Sequence, residues 1–145
     1  MKGLFVGSFD PFTIGHASVV RRVLPLFDEV VIGVGHNISK NSIQTPEERV
    51  SDIRRLYADE KKIRVVEYDG LTVDLARQVG ASFLIKGVRS VKDFEYERDQ
   101  ADINRMLTGI ETILIMSEPH LAAVSSSLVR ELKALGKDIT PFVPK

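Results

Sequence analysis

Two segments near opposite ends of the chain carry residue types suited to phosphate chemistry. Near the start stands Gly7-Ser8-Phe9-Asp10-Pro11-Phe12-Thr13-Ile14-Gly15-His16, and near the end Val124-Ser125-Ser126-Ser127-Leu128-Val129-Arg130. Each reads as a strand running into a loop and then into the first turn of a helix. The first N–H groups of a helix have no intrahelical acceptor and sit at the positive end of its dipole, so they attract anions. Two such places in one short chain predict a ligand with several phosphates. Gly7 and Gly15 would let backbone approach it closely, and Ser8 offers a hydroxyl and an N–H. His16 falls in the first turn of its helix, where an imidazole can donate a hydrogen bond to a phosphate oxygen. The positive helix end disfavours its protonation and an anionic ligand favours it. The plainer reading of His16 is a capping histidine packed under a loop, and that of the serines an N-cap with its neighbours. Arg130, one turn on, adds a charge that a cap does not need.

Cations elsewhere could complete such a site. Lys86 ends the apolar run Phe83-Leu84-Ile85, where an unpaired charge is costly, and Arg89 stands three residues on. A phosphate is a natural partner for this pair; Asp93 or Glu95 would serve as well. Lys40 lies in a polar stretch, where a lysine is ordinarily just solvated. The charged run from Glu95 to Asp102 reads by composition as a solvated helix face or a set of ion pairs.

The elements that must position these groups alternate. Strands are expected at 4–6, 30–34, 63–68, 81–85 and 112–116, and helices at 14–24, 46–57, 71–79, 93–107 and 126–135. The continuous run Val30-Val31-Ile32-Gly33-Val34 suits a strand buried on both faces. Thr45-Pro46-Glu47-Glu48 reads as a helix start with Thr45 as N-cap and Glu48 completing a capping box. Gly80 and Gly109 read as helix stops, and residues 138–145 as a loop. This order predicts an α/β fold: a Rossmann-like, doubly wound, five-stranded parallel sheet with helices on both faces. Ligands of such sheets bind beyond the carboxyl ends of the strands, where strand order reverses. The loops at 7–15, 35–44, 68–70, 86–92 and 117–125 all follow strands and should gather on that edge.

With 145 residues, a single domain spanning 1–145 is expected. Twenty basic and twenty acidic residues balance, which speaks against a general nucleic-acid binder. There is no cysteine, so disulfides, zinc–thiolate sites and thiol catalysis are excluded. No run approaches the ~18 apolar residues of a membrane span, and a cytoplasmic location is the default expectation.

The pattern Gly-x-Phe-Asp-Pro-x-x-x-Gly-His, with Ser125-Ser126-Ser127 and Arg130 near the end, resembles the nucleotidyltransferase superfamily built around a T/H-x-G-H motif, here Thr13-Ile14-Gly15-His16. The closer resemblance is to the bacterial phosphopantetheine adenylyltransferases. It is carried further by Ser39-Lys40 ahead of Thr45-Pro46-Glu47-Glu48-Arg49, by Lys86-Gly87-Val88-Arg89 and by Asp93-Phe94-Glu95-Tyr96-Glu97. It runs over essentially the whole chain, and the last segment is the most specific, because relatives acting on other substrates generally lack it.

The resemblance implies transfer of the adenylyl group of ATP to 4′-phosphopantetheine, giving 3′-dephospho-coenzyme A and pyrophosphate. It implies His16, Lys40 and Arg89 as catalytic residues. ATP would be held by Ser8, Phe9, His16, Gly87, Val88, Arg89 and Glu97, by Leu121, Ala122, Ala123 and Val124, and by Ser125, Ser126, Ser127 and Arg130. The acceptor would be held by Ser8, Lys40, Thr72, Lys86, Asn104 and Glu131. Mg²⁺ would bridge the ATP phosphates with no metal ligands from the protein. No nucleic acid or membrane partner is implied, but a homohexamer is. The family usually has arginine where this chain has Lys86, which keeps the charge and loses bidentate geometry. Leu121-Ala122-Ala123 replaces a stretch in which an aromatic residue is common.

Other readings remain open at this point. Nicotinate mononucleotide adenylylation, cytidylyl transfer to a small phosphate, and a non-catalytic nucleotide sensor all fit the superfamily. A dinucleotide-binding redox module fits poorly, because no third glycine stands three residues after Gly33-Val34-Gly35.

Overall fold

Apolar runs without alternation, such as Leu4-Phe5-Val6 and Val30-Val31-Ile32, suit strands covered on both faces, and these two lie side by side inside the sheet. In the computed structural model, which describes residues 1–36 and 42–145, β1 (Lys2–Gly7) pairs in parallel with β2 (Glu29–Gly35), Leu4 opposite Val31. β3 (Ile63–Tyr68) joins β2, β4 (Phe83–Val88) joins the other side of β1, and β5 (Glu111–Met116) forms the far edge. The order is β3-β2-β1-β4-β5.

Helices α1 (Ile14–Val23), α2 (Pro46–Leu56), α3 (Thr72–Val79), α4 (Val91–Thr108) and α5 (Ser126–Ala134) follow the strands in turn. α1 and α2 bury Val19, Val20, Val23, Val50 and Ile53 on one face of the sheet, against Phe5, Ile32, Val34 and Ile85. α3 buries Leu75, Ala76 and Val79 on the other, against Leu4, Val6, Val31 and Leu84. The doubly wound sheet read from the sequence is the fold the chain adopts. At Gly33 a Cβ would stand 2.8 Å from Leu75 Cδ2 and 3.0 Å from Val6 Cγ1, so glycine lets α3 sit close on β2. Strand order reverses between β1 and β4, so the carboxyl ends at Gly7 and Val88 flank the switch point.

Several boundaries differ from expectation. Lys86, Gly87 and Val88 belong to β4 rather than to the loop after it, because each pairs with β5, opposite Leu114, Ile115 and Met116. α4 starts at Val91, with Ser90 as N-cap accepting from the Asp93 N–H at 3.1 Å. Thr45 caps α2 by accepting from the Glu48 N–H at 3.1 Å, without the reciprocal bond of a capping box. The box occurs at α1 instead, between Thr13 and His16. The tail holds a 3₁₀ turn at Thr140–Phe142. Gly80 and Gly109 end their helices in the left-handed region, at φ 73° and 79°.

Candidate active site

The switch point opens into a cleft of about 410 Å³. β1 and its loop contribute Gly7, Ser8, Phe9 and Thr13, and α1 contributes Gly15, His16 and Ser18. β4 brings Lys86, Gly87 and Val88, followed by Arg89, and α4 brings Glu97. The far wall is Ser117, Glu118, Leu121 and Val124, and the start of α5 supplies Ser125, Ser126, Ser127 and Arg130. The two segments singled out at opposite ends of the sequence therefore face one space. A slightly larger cavity, about 440 Å³, opens beyond Phe9 and Phe12, between α2 and the last residues of the chain. His16, Lys86, Arg89 and the serines do not line it.

His16 is fixed from three sides. Its ring packs edge-on against Phe9, with centroids 5.0 Å apart, and lies 5.3 Å from Phe12 and 6.2 Å from Phe5. The Thr13 N–H donates to Nδ1 at 2.9 Å, while Thr13 Oγ1 accepts from the His16 N–H at 3.3 Å. A backbone N–H can only donate, so Nδ1 is unprotonated and the ring proton sits on Nε2. Burial pushes the imidazole down to about 4, with the Arg89 charge adding to the effect. The cap bond sets the tautomer and leaves Nε2–H as the ring's donor. The fall in pKa anticipated from the helix end has burial as its main cause.

Lys86 and Glu97 face each other at 3.5 Å, with side chains 25% and 15% exposed. Glu97 Oε2 is buried and accepts no hydrogen bond, so both groups keep capacity for a polar ligand. Arg89 rests on Asp93, Nε to Oδ2 at 3.3 Å. This is one of the two carboxylates weighed as its alternative partner, and an anion in the cleft would compete with it. All three serine hydroxyls have partners within the protein: Ser125 accepts from the Leu128 N–H at 3.1 Å, Ser126 donates to the Pro11 carbonyl at 2.7 Å, and Ser127 accepts from Arg130. What the turn offers a ligand is then chiefly the N–H groups of Ser126 and Ser127. Arg130 donates to the Asp10 carbonyl at 2.8 Å and to Ser127 Oγ at 3.2 Å, which uses part of its five-donor fork.

Gly15 lines the cleft, and a Cβ there would meet Thr13 Oγ1 at 3.4 Å and the Val124 carbonyl at 3.7 Å. Lys40 lies outside the described residues. Ala122 and Ala123 sit on the wall loop without lining the cleft. Thr72 opens α3 beyond the outer strand β3, its Oγ1 3.3 Å from the Tyr68 hydroxyl. Asn104 on α4 and Glu131 on α5 also stand outside the cleft lining.

Three polar residues around the site had no assigned role in the sequence reading. Arg49, 2% exposed, donates from Nη1 to the carbonyls of Ser8 at 2.7 Å and Gly35 at 3.2 Å, and from Nε to the Gln44 carbonyl at 3.2 Å. The Asp10 carboxylate lies 4.0 Å from Nε and accepts from the Ile43 N–H at 3.2 Å. Arg49 thus joins the phosphate-facing loop to both flanks of the segment carrying Lys40. Ser18 and Glu118 form the second tie, between α1 and the far wall. The only sequence signal for Arg49 was its place in the Thr45–Arg49 segment; Ser18 and Glu118 gave none.

The family model of cytidylyltransferase-like proteins matches residues 4–132. A phosphopantetheine adenylyltransferase of Bacteroides fragilis is 58% identical over 99% of this chain and 96% of its own length. One from Phocaeicola vulgatus is 54% identical over 99% and 95%. A solved bifunctional NMN adenylyltransferase/ADP ribose pyrophosphatase from Francisella tularensis superposes with a TM-score of 0.75 at 13% identity, covering 98% of this chain and 44% of that one; at that identity the likeness concerns the fold. The sequence match runs through both phosphate-facing segments and the strands that bring them together, and on that ground the chain belongs to the cytidylyltransferase-like family and, within it, to the phosphopantetheine adenylyltransferases.

Proposed function

We propose that the protein transfers the adenylyl group of ATP to 4′-phosphopantetheine, releasing pyrophosphate and forming 3′-dephospho-coenzyme A. The observation that carries this reading is the convergence, at one switch point, of a neutral His16 Nε2–H donor, Lys86, Arg89 and the N-terminus of α5. An oxygen of the acceptor phosphate attacks the α-phosphorus of ATP. The bond from that phosphorus to the bridging oxygen breaks, and its electron pair leaves with pyrophosphate. A phosphate monoester is already an anionic nucleophile at neutral pH, so the step needs no protein base and no covalent intermediate. Catalysis then comes from positioning and from charge stabilisation.

In this reading His16 Nε2–H, with Lys40, binds the oxygens on which charge builds. Ser8 and Lys86 place the acceptor phosphate. Arg89, Arg130 and the α5 amides hold the departing pyrophosphate, while Glu97 takes a donor from the nucleotide. Thr72, Asn104 and Glu131 contact the pantetheine arm only if it leaves the cleft along the carboxyl edge of the sheet. Mg²⁺ enters with ATP. The cleft offers mainly donors, so in this reading the triphosphate and water would hold the ion, which would offset the phosphate charge. A cytoplasmic setting and assembly from copies of this chain belong to the same proposal. Among the described residues no helix is long and apolar enough to cross a membrane.

The test is an assay with ATP, Mg²⁺ and 4′-phosphopantetheine that follows pyrophosphate and dephospho-coenzyme A together. Both products should appear in equal amounts, and omitting Mg²⁺ should abolish them. His16→Ala should lower kcat by about 10²–10³-fold, as loss of one preorganised transition-state donor does, with little change in ATP binding. Unchanged turnover in that variant would refute the mechanism.

A further inference from the structure

The loop between β5 and α5 forms the far wall of the cleft through Ser117, Glu118, Leu121 and Val124. Its 3₁₀ turn, Pro119–Leu121, closes on itself, with the Leu121 N–H donating to the Glu118 carbonyl at 2.9 Å. Glu118 is the N-cap of that turn, yet its side chain makes no capping bond. The carboxylate is turned to α1 instead. The Ser18 hydroxyl donates to Oε2 at 2.6 Å, and Arg21 Nη2 donates to the same oxygen at 3.1 Å. The neighbouring Arg22 donates to the Met116 carbonyl at 2.7 Å, just where β5 ends. Helix α1 therefore opens with Gly15 and His16 on the phosphate side and grips the opposite wall one to two turns later.

An unpaired carboxylate on the wall of an anion-binding cleft would repel the ligand. Here its charge is taken up by Ser18 and Arg21, which hold the carboxyl below its ordinary range. The rest of the wall presents Leu121 and Val124, buried apolar side chains, with backbone amides between them. Such a surface suits a flat, uncharged heterocycle, while the phosphates of the same molecule lie toward His16 and α5.

We propose that Glu118 is a positioning residue for the nucleotide: through Ser18 and Arg21 it sets the spacing between α1 and the 117–124 wall, and so the slot that receives the base of ATP. This rests on the reading of the cleft as an ATP site. Because the acceptor approaches from the Lys86 side, the tie governs ATP and leaves the second substrate alone.

Steady-state kinetics with each substrate varied in turn test this. Glu118→Ala and Ser18→Ala should each raise KM for ATP about tenfold, while kcat at saturating ATP and KM for phosphopantetheine stay within about twofold. The double variant should be no worse than Glu118→Ala alone, since that substitution already removes the Ser18 contact. Glu118→Gln keeps an acceptor for the Ser18 hydroxyl and should restore most of the loss. Equal rises in both KM values with a lowered Tm, or no rise at all, would overturn the positioning role. Absence of adenylyl transfer by the unaltered protein would instead refute the reading of the site on which the role rests.

Discussion

His16 sits lower on the pH scale than a free imidazole because the Phe5, Phe9 and Phe12 rings exclude water from it, with Arg89 adding repulsion. A group whose folded pKa lies below its unfolded value of 6.5 contributes stability that is present above 6.5 and is lost as pH falls toward about 4. Full desolvation would make that term about 3 kcal/mol; the half-buried ring retains less. In the free protein His16 should titrate below 6.5, shifted toward about 4, by NMR, and His16→Gln should flatten the pH dependence of stability between 4 and 6.5. A midpoint near 6.5 would show that the ring is solvated. The residues that line the cleft at the switch point were legible because their types are distinctive: a histidine and glycines in a helix-start pattern, and three serines before an arginine. Arg49 and Glu118 were not, because an isolated charge in a polar stretch reads as solvated. What buries or ties them comes from segments distant in sequence: Arg49 bonds Ser8, 41 residues away, and Glu118 bonds Ser18, 100 residues away.

Among the elements, the junction of β4 and α4 shows how tertiary pairing overrides local cues. Lys86 and Gly87 look like the start of a loop, yet β5 supplies hydrogen-bonding partners that carry the strand on to Val88. The turn into α4 is then only Arg89-Ser90. Its geometry is fixed by Ser90 accepting from the Asp93 N–H and by Asp93 accepting from the Arg89 N–H at 3.1 Å. Ser90→Ala should cost about 1 kcal/mol, the usual value of an N-cap, read as a lower denaturation midpoint with an unchanged m-value. The expected strand and helix order held throughout, because hydrophobic periodicity reports long elements well. Boundaries moved where a capping bond or strand pairing decided them, as at Ser90 and at the Thr13–His16 box, whose histidine stands where a glutamate or glutamine is the usual signal.

For the molecule as a whole, α4 is the element with the most to bury. None of its residues is buried, and Tyr96, Ile103, Met106 and Leu107 are 52–81% exposed at spacings that share one helix face. This apolar row supports the proposed assembly from copies of the chain. Ile103→Asp with Met106→Asp should reduce the mass measured by light scattering, and an unchanged mass would show that this face is not the contact. Arg49 has a consequence of a different kind. Its guanidinium draws on the ends of β1 and β2 and the approach to α2 at once, so the phosphate-facing loop takes its shape only when all three have docked. A ligand that requires that shape binds the folded chain and not the unfolded one, and it adds RT ln(1 + [L]/Kd) to the free energy of unfolding, about 2.7 kcal/mol at a hundredfold excess over Kd. Cellular nucleotide would then act on this protein as a folding ligand as well as a substrate, and its depletion would shorten the lifetime of the chain.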